Sequence, residues 1–254
     1  MFNSKKNKIT LLVLMLLTST AYSQQFQADS TRIKSNPQNK TINGKSFILP
    51  GALIITGSFL FDSQFNIDFQ KKVTPNDLTK KIHFDDYFQY APAVITIGLE
   101  AIGVKGKHSA LQTGIIYGMS NIILSAVVIP AKYYSHELRP DTSNYLSFPS
   151  GHTSAAFASA ELIRMEYKNN QTWLGVTGYL MAVTTGYLRM YNNKHWVSDV
   201  ITGAGIGIAS TRLSYLIYDK VSSRIQSKKK RESHTLILPS YKNQQLGFNL
   251  VKKF

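Results

Sequence analysis

Apolar residues fall into six long runs along the chain, and none of the runs alternates between apolar and polar positions as a half-buried strand does. The runs are 47–61, 87–104, 110–130, 153–167, 172–190 and 198–218. Each is long enough for several helical turns, which favours helices over strands. The pattern therefore predicts an all-α fold, a compact bundle of about six helices.

Four of the six runs approach the length of a membrane span, which needs about 20 predominantly apolar residues. The 110–130 run is the most convincing of these, and we expect its helix to end at Pro130. The runs at 87–104, 172–190 and 198–218 are interrupted by polar residues. We expect the bundle to be membrane-embedded, although a mean hydropathy of −0.12 is low for several spans and leaves a soluble periplasmic protein as an alternative.

The first residues have the three-part layout of a secretory signal peptide. Three lysines precede the apolar run Ile9–Leu17, and the small residues at positions 21 and 23 place the cleavage site after Ser23. We therefore expect residues 1–23 to be a signal peptide and residues 24–46 to be a flexible lead-in.

The rest of the chain divides into a helical domain, residues 47–220, and a basic linker with a strand-like tail, residues 221–254. The tail contains two short alternating pieces, His234–Leu238 and Leu246–Val251, around a polar stretch. This pattern is typical of a hairpin. We assign no function to the tail.

Composition narrows the classes of function. Lys and Arg number 29 against 14 for Asp and Glu, which gives a formal net charge of +15. The chain has no cysteine, so a disulfide framework, a thiolate nucleophile and a zinc site with Cys ligands are excluded. A basic chain suggests an anionic partner, which could be a membrane surface, a phosphorylated substrate or a nucleic acid.

Polar residues flank the apolar runs in three patches. The patches are Lys132 with Arg139, Ser150-Gly151-His152, and Arg189 with His195 and Asp199. Consecutive helices of an up-and-down bundle run in opposite directions, so all three patches are expected to meet at one end of the bundle. At the same end, Asp85 and Asp86 precede Tyr87, where acidic side chains can cap a helix N-terminus.

The residue types in these patches favour a multiply charged anion, above all phosphate. Lys132, Arg139 and Arg189 supply three fixed cations. The helix that starts at Gly151 offers unpaired backbone N–H groups, and the Ser150 hydroxyl can donate another hydrogen bond. A metal cation would be repelled here, so no metal is expected.

The histidines suggest the reaction. His195 and Asp199 are four residues apart, so on a helix their side chains face each other. A carboxylate on one ring nitrogen fixes the tautomer and leaves the other nitrogen free to attack phosphorus. His152, on the other side of the anion, could then protonate the leaving alkoxide.

These residues, in this order, resemble the signature of the type 2 phosphatidic acid phosphatase family over roughly residues 85–218. The three motifs are Lys132-x6-Arg139-Pro140, Pro149-Ser150-Gly151-His152 and Arg189-x5-His195-x3-Asp199. The sequence departs from the family at Leu188, where a serine is more usual. The resemblance implies a nucleophile at His195, an acid at His152, an orienting carboxylate at Asp199, and no cofactor. It also implies a phosphate cradle of Lys132, Arg139, Ser150, Gly151 and Arg189.

Apolar helices beside such a site favour a lipid phosphate monoester or diphosphate as substrate. The stretches Asp85–Pro92, Ser147–Pro149 and Asn192–Trp196 resemble exported family members of Bacteroidetes-type bacteria, some of which act on lipid A. We expect a metal-independent lipid phosphatase with a phosphohistidine intermediate and no obligate protein partner. Its expected location is the bacterial envelope, either in the inner membrane with the site facing the periplasm or in the periplasm itself.

Other functions remain open from the sequence. A soluble periplasmic acid phosphatase or an undecaprenyl diphosphate phosphatase would use the same motifs, and a catalytically silent membrane protein would keep the same bundle. A nucleic-acid binder would use the net charge of +15. However, the basic residues cluster in loops and in the tail without a recognition motif, so no nucleic-acid partner is expected.

Overall fold

The structure is a computed structural model that describes residues 42–75, 82–231, 235–242 and 245–252. The predicted signal peptide and nearly all of the predicted lead-in lie outside the described residues. The lead-in was expected to be flexible as far as residue 46, but a short 3-10 helix already forms at Gly44–Phe47.

Eight α-helices and one two-stranded antiparallel sheet occupy the described part of the chain. They are α1 (Ile48–Leu60), α2 (Gln64–Val73), α3 (Asp85–Phe88), α4 (Ala91–Ala101), α5 (Ala110–Ser135), α6 (Gly151–Tyr167), α7 (Thr172–Tyr191), α8 (Val197–Arg231), β1 (Thr235–Lys242) and β2 (Gln245–Lys252). The strands pair from Thr235 opposite Lys252 to Lys242 opposite Gln245. The all-α bundle and its strand-like tail are therefore confirmed.

Helix α5 does not end at Pro130, as the sequence analysis expected, but continues to Ser135. Pro130 lies on an exposed side of the helix, where it removes one backbone hydrogen bond without breaking the last turns. His136 then ends the helix in the left-handed conformation, with φ of 48°. Lys132 consequently projects from the helix itself and not from the loop after it.

The run at 87–104 is not one helix, which corrects a second prediction. It divides into the single turn α3 and the 11-residue helix α4. Pro92 lies in the first turn of α4, where proline fits without losing a helical hydrogen bond. A helix of this length is too short to cross a bilayer. The last helix, in contrast, is longer than predicted and includes the basic residues 228–231.

Helix α2 was not predicted, because its sequence is largely polar. The Ser63 side chain accepts a hydrogen bond from the backbone N–H of Asn66 and starts this helix. The Asn66 amide donates to Ser198 Oγ at 2.9 Å, and the Gln70 amide donates to the Met190 carbonyl at 2.8 Å. Helix α2 therefore fastens the connection between α7 and α8, where His195 lies.

Two helices in the described residues are long and apolar enough to cross a membrane: α5 and the part of α8 from Val197 to Ile225. Helices α1 and α2 would add a third, broken span only if they are taken together, and the chain bends by 96° between them. Helix α7 was expected to be of span length and composition, but it is not among these candidates.

Helix α8 packs closely on α6 through glycines. A Cβ atom on Gly207 would lie 2.2 Å from the Ser154 carbonyl oxygen, and one on Gly203 would lie 2.7 Å from the Ser150 carbonyl oxygen. Only glycine allows the two backbones to approach this far. At the same crossing, the Ser150 N–H donates to the Asp199 carbonyl at 3.1 Å. The close packing therefore brings the N-termini of α6 and α8 together.

We expect Gly207→Ala to lower the free energy of unfolding by about 1–3 kcal/mol, because the methyl group must push two helix backbones apart. Thermal unfolding of the purified protein in detergent would measure the effect. Gly114→Ala is the matched control, since a Cβ at Gly114 on α5 would meet nothing within 4 Å. Equal unfolding temperatures for the two variants would contradict this account of the α6–α8 packing.

Candidate active site

The three polar patches meet at one end of the bundle. Lys132 Nζ on α5 donates to the Leu146 carbonyl at 2.7 Å and to the Ser147 carbonyl at 3.0 Å, which fixes the loop before α6. The Trp196 indole donates to the Leu138 carbonyl at 2.9 Å and ties the α7–α8 connection to the same loop. The structure thus brings together segments that are up to 58 residues apart in the chain.

His195 and Asp199 form a buried pair. His195 Nδ1 lies 3.0 Å from Asp199 Oδ2, and the two residues are 1% and 0% exposed. The same carboxylate oxygen accepts from Ser147 Oγ at 2.6 Å and from the Trp196 backbone N–H at 3.0 Å. A carboxylate accepts hydrogen bonds, so Nδ1 carries the proton and Nε2 keeps its lone pair.

The imidazole of His195 is neutral at pH 7. Burial lowers its pKa to about 4, because the charged form loses its hydration. The Asp199 carboxylate opposes this shift, while the positive charges of Lys132 and Arg189 add to it. A neutral ring with a free Nε2 is a nucleophile, whereas a protonated ring would not be.

His152 differs from His195 in its exposure. Its side chain is 34% exposed, and its Nε2 lies 3.1 Å from Asp86 Oδ1. Burial lowers the pKa of His152, the nearby charge of Arg189 lowers it further, and Asp86 opposes both effects. His152 thus lies near the surface, between the positive charge of Arg189 and the negative charge of Asp86. This position suits a group that must gain and lose a proton.

The cations are held in place without all of their donors being used. Arg189 Nη1 donates to Asp85 Oδ2 at 2.7 Å, and this pair is almost fully buried. Within the described residues, Arg189 Nε and Arg139 Nε are buried and make no hydrogen bond. Buried guanidinium donors without partners are costly unless an anion binds them. Their arrangement fits a phosphate, which offers several acceptor oxygens.

Ser150 and Gly151 begin α6, although the Ser150 hydroxyl has a local partner. Ser150 Oγ accepts from the Thr153 backbone N–H at 3.3 Å and lies 2.9 Å from Thr153 Oγ1, so it caps the helix. A Cβ on Gly151 would come no closer than 3.9 Å to Val128, so packing within the protein does not require glycine there.

Asp85 and Asp86 lie in the first turn of α3, where acidic side chains complement a helix N-terminus as predicted, and they also have a second role. Neither caps α3 through a side-chain hydrogen bond, since the helix starts at Asp85 itself and the residue before it is Phe84. The two carboxylates instead contact Arg189 and His152. Sequence reasoning missed them as site residues, although the position of an acidic pair beside the predicted site was a usable signal.

Helix α2 adds a groove beside the motif residues. The groove has a volume of about 340 Å³ and is lined by Ile67, Gln70, Lys71, Thr74, Pro75, Pro140, Asn193 and Trp196. Pro140 and Trp196 directly follow Arg139 and His195 in the chain. In the described part of the protein, no cluster of three or more His, Asp or Glu side chains is arranged to hold a metal ion.

Comparisons with curated proteins relate the chain to lipid A phosphatases. A lipid A 1-phosphatase of Porphyromonas gingivalis is 36% identical over 138 residues, which are 54% of this chain and 31% of that protein. A lipid A 4'-phosphatase of Bacteroides thetaiotaomicron is 34% identical over 80 residues, which are 32% of this chain and 35% of that protein. The chain spans about a third of the length of these relatives.

Among solved structures, Aquifex aeolicus LpxE is similar with a TM-score of 0.47 and 21% identity, over 61% of this chain and 96% of that one. The family model of the PAP2 superfamily matches residues 113–223, which contain all three motifs. The resemblance inferred from those motifs is confirmed for this region: residues 113–223 are similar to the PAP2 superfamily.

Proposed function

We propose that this protein is a phosphatase that hydrolyses a lipid phosphate through a phosphohistidine formed on His195. The substrate that we propose is a phosphate of lipid A. One observation carries the proposal. A neutral imidazole in a fixed orientation lies in the same site as buried arginines whose Nε–H groups have no hydrogen-bond partner in the described part of the chain. His195 is held by Asp199, and Arg139 and Arg189 each keep a buried Nε without a partner in the described residues.

Charge complementarity selects a phosphate as the reacting group. Lys132 uses two of its three N–H donors on carbonyl groups, and the two arginines keep donors of their own. Three cations around one anion offset the charge that develops on the equatorial oxygens during displacement. The three cations, Lys132, Arg139 and Arg189, are thus assigned to the phosphate cradle, with the N-terminus of α6 at Ser150 and Gly151 beside them.

The reaction is assigned in two displacements. The Nε2 lone pair of His195 attacks phosphorus, and the bond between phosphorus and the lipid oxygen breaks as His152 delivers a proton to that oxygen. Water then attacks the phosphohistidine, gives a proton to His152 and releases phosphate, which restores both rings. Asp199 stabilises the positive charge on His195 in each step. No metal or cofactor takes part in this scheme.

A lipid substrate is supported by two independent observations. Helix α5 and most of α8 have the length and composition of membrane spans, and both contribute residues to the site, Lys132 and Asp199. The curated relatives are described as lipid A phosphatases. A headgroup at the membrane surface would then reach the cradle while its acyl chains stay in the bilayer.

We place the protein in the bacterial envelope membrane, with the site on the periplasmic side. The connection at the opposite end of the bundle, between α4 and α5, carries Lys105 and Lys107, and α8 ends at that side in the basic residues 228–231. Basic loops of membrane proteins tend to remain in the cytoplasm. This orientation leaves the catalytic end outside.

The direct test of the mechanism is His195→Ala, which should reduce phosphate release from a phosphorylated lipid at least about 10³-fold, because the proposed covalent intermediate forms on this ring. Rapid quenching with radiolabelled substrate should also show no acid-labile phosphoenzyme. His136→Asn, a change at an exposed histidine with positive φ, should remain active. Unchanged turnover in the His195 variant would show that the protein is not a phosphatase of this type.

The pH dependence of kcat/KM should show whether His152 is the general acid. Because His152 must be protonated in the free enzyme, its pKa sets the alkaline limb of kcat/KM. Asp86 raises that pKa, so Asp86→Asn should move the alkaline limb to lower pH by roughly half a unit or more. Asp68→Asn removes an exposed carboxylate on α2 and should not move it. If the alkaline limb of kcat/KM does not move in Asp86→Asn, His152 is not the general acid.

A substrate panel should separate the remaining candidates. Lipid A, phosphatidic acid, phosphatidylglycerol phosphate and undecaprenyl diphosphate would be presented in mixed micelles, with a soluble aryl phosphate as comparison. We expect kcat/KM for a lipid A phosphate to exceed that for the soluble ester by at least about 100-fold, since only the lipid is concentrated beside the site. Equal values would favour a non-specific acid phosphatase.

A further inference from the structure

We propose that Glu137 is a positioning residue of this site, and that it acts as a neutral carboxylic acid whose O–H donates a hydrogen bond to Asp199. This inference rests on the proposed function, because Asp199 matters here through its hold on the nucleophile His195. Glu137 lies between the motif residues Lys132 and Arg139, and the resemblance to the family assigned it no role.

The backbone fixes where Glu137 lies. Helix α5 ends at Ser135, and His136 turns the chain through a left-handed conformation. The Glu137 carbonyl then accepts from the Ser147 N–H at 3.0 Å, and the next carbonyl, of Leu138, accepts from the Trp196 indole at 2.9 Å. These two hydrogen bonds hold the short segment against the loop before α6 and against the residue before α8.

Ser147 joins the two acidic residues, because its N–H donates to the Glu137 carbonyl at 3.0 Å and its hydroxyl donates to Asp199 Oδ2 at 2.6 Å. The Glu137 and Asp199 side chains also share a hydrogen bond with each other. Two carboxylates this close cannot both be ionised, so one of them carries a proton that bridges the pair. Asp199 accepts hydrogen bonds from His195, Ser147 and Trp196, all of which favour its ionised form.

Glu137 lacks comparable support for a charge. Its Oε2 is buried and has no hydrogen-bond partner among the described residues. Burial raises the pKa of Glu137 to about 10, and the negative charges of Asp199 and of Asp62, in the turn between α1 and α2, act in the same direction. Lys132 on α5 opposes them only in part. The proton therefore belongs to Glu137.

This proton affects the nucleophile through Asp199. An ionised Asp199 draws a proton onto His195 and raises its pKa, against the effects of burial, Lys132 and Arg189. A hydrogen bond donated by Glu137 disperses part of the charge on Asp199 and weakens that pull. The carboxyl of Glu137 thus helps to keep the imidazole unprotonated, and it does so without touching the substrate.

The experiment compares Glu137→Ala with Glu137→Gln in the full-length protein in detergent. The readouts are the acid limb of kcat/KM on a lipid phosphate and the titration of His195 followed by 15N NMR of the imidazole. Glu137→Ala removes the donor, so the pKa of His195 should rise by about one unit from its wild-type value. Glutamine is neutral and can donate through its amide, so Glu137→Gln should keep the limb where the wild type has it. Asp68→Asn is again the control.

The sign of the shift decides between the two charge states. If Glu137 were ionised, both substitutions would remove a negative charge near His195 and would lower its pKa, which would overturn the proposal. An acid limb that moves in neither variant would also overturn it. If the wild type and all variants lack turnover while the pKa of His195 shifts as expected, the phosphatase function is rejected. The proposed role of Glu137 beside Asp199 then still stands.

Infrared difference spectra provide a measurement that does not depend on the alanine variant being folded. At neutral pH the wild type should show the C=O stretch of a protonated carboxylic acid that is absent in Glu137→Gln and present in Asp68→Asn. If that band is the same in all three proteins, Glu137 carries no proton and the proposal is wrong.

Discussion

The site depends on one buried negative charge, the carboxylate of Asp199. Asp199 is fully buried, and a buried carboxylate is stable only if hydrogen bonds and opposite charges replace its lost hydration. Those partners come from separate parts of the chain: the Ser147 hydroxyl before α6, and the His195 ring and the Trp196 N–H before α8. Satisfying one charge thus draws together the segments that make up the site and fixes the tautomer of the histidine at the same time.

The cations follow the same rule with a different outcome. Arg189 has an acidic partner in Asp85, and Lys132 is held by two carbonyl groups, yet Arg139 and Arg189 each keep a buried donor that nothing in the described residues accepts. Within this part of the chain, the hydrogen bonds to Asp199 are therefore complete, whereas those of Arg139 and Arg189 are not. A site built in this way has uncompensated positive charge, which an anion with several oxygens can neutralise. This charge would attract a phosphate group to the position beside the imidazole.

Sequence reasoning predicted the parts of this arrangement that depend on local pattern and chain order. The apolar runs indicated the helices, and helix direction placed Lys132, His152 and His195 at the same end. The pattern could not indicate α2, because a polar helix stabilised by Asn66 and Gln70 contacts depends on partners more than 100 residues away. For the same reason it gave Asp85 and Asp86 a capping role, and it could not assign Glu137 a partner.

The two histidines differ in depth, and this difference suits an in-line displacement. His195 is 1% exposed at the base of the site, whereas the side chain of His152 is 34% exposed and lies beside Asp86 on α3. Phe84 and Tyr87, on either side of the acidic pair, are 63% and 75% exposed. In phosphoryl transfer the leaving oxygen departs opposite the attacking atom. In the proposed mechanism, a nucleophile at the base and an acid near the rim would direct the departing group towards the surface, where the rings of Phe84 and Tyr87 are exposed. The depth of each histidine thus fits its proposed role in the displacement, and the proposed leaving group would depart on the side of the site where α3 lies.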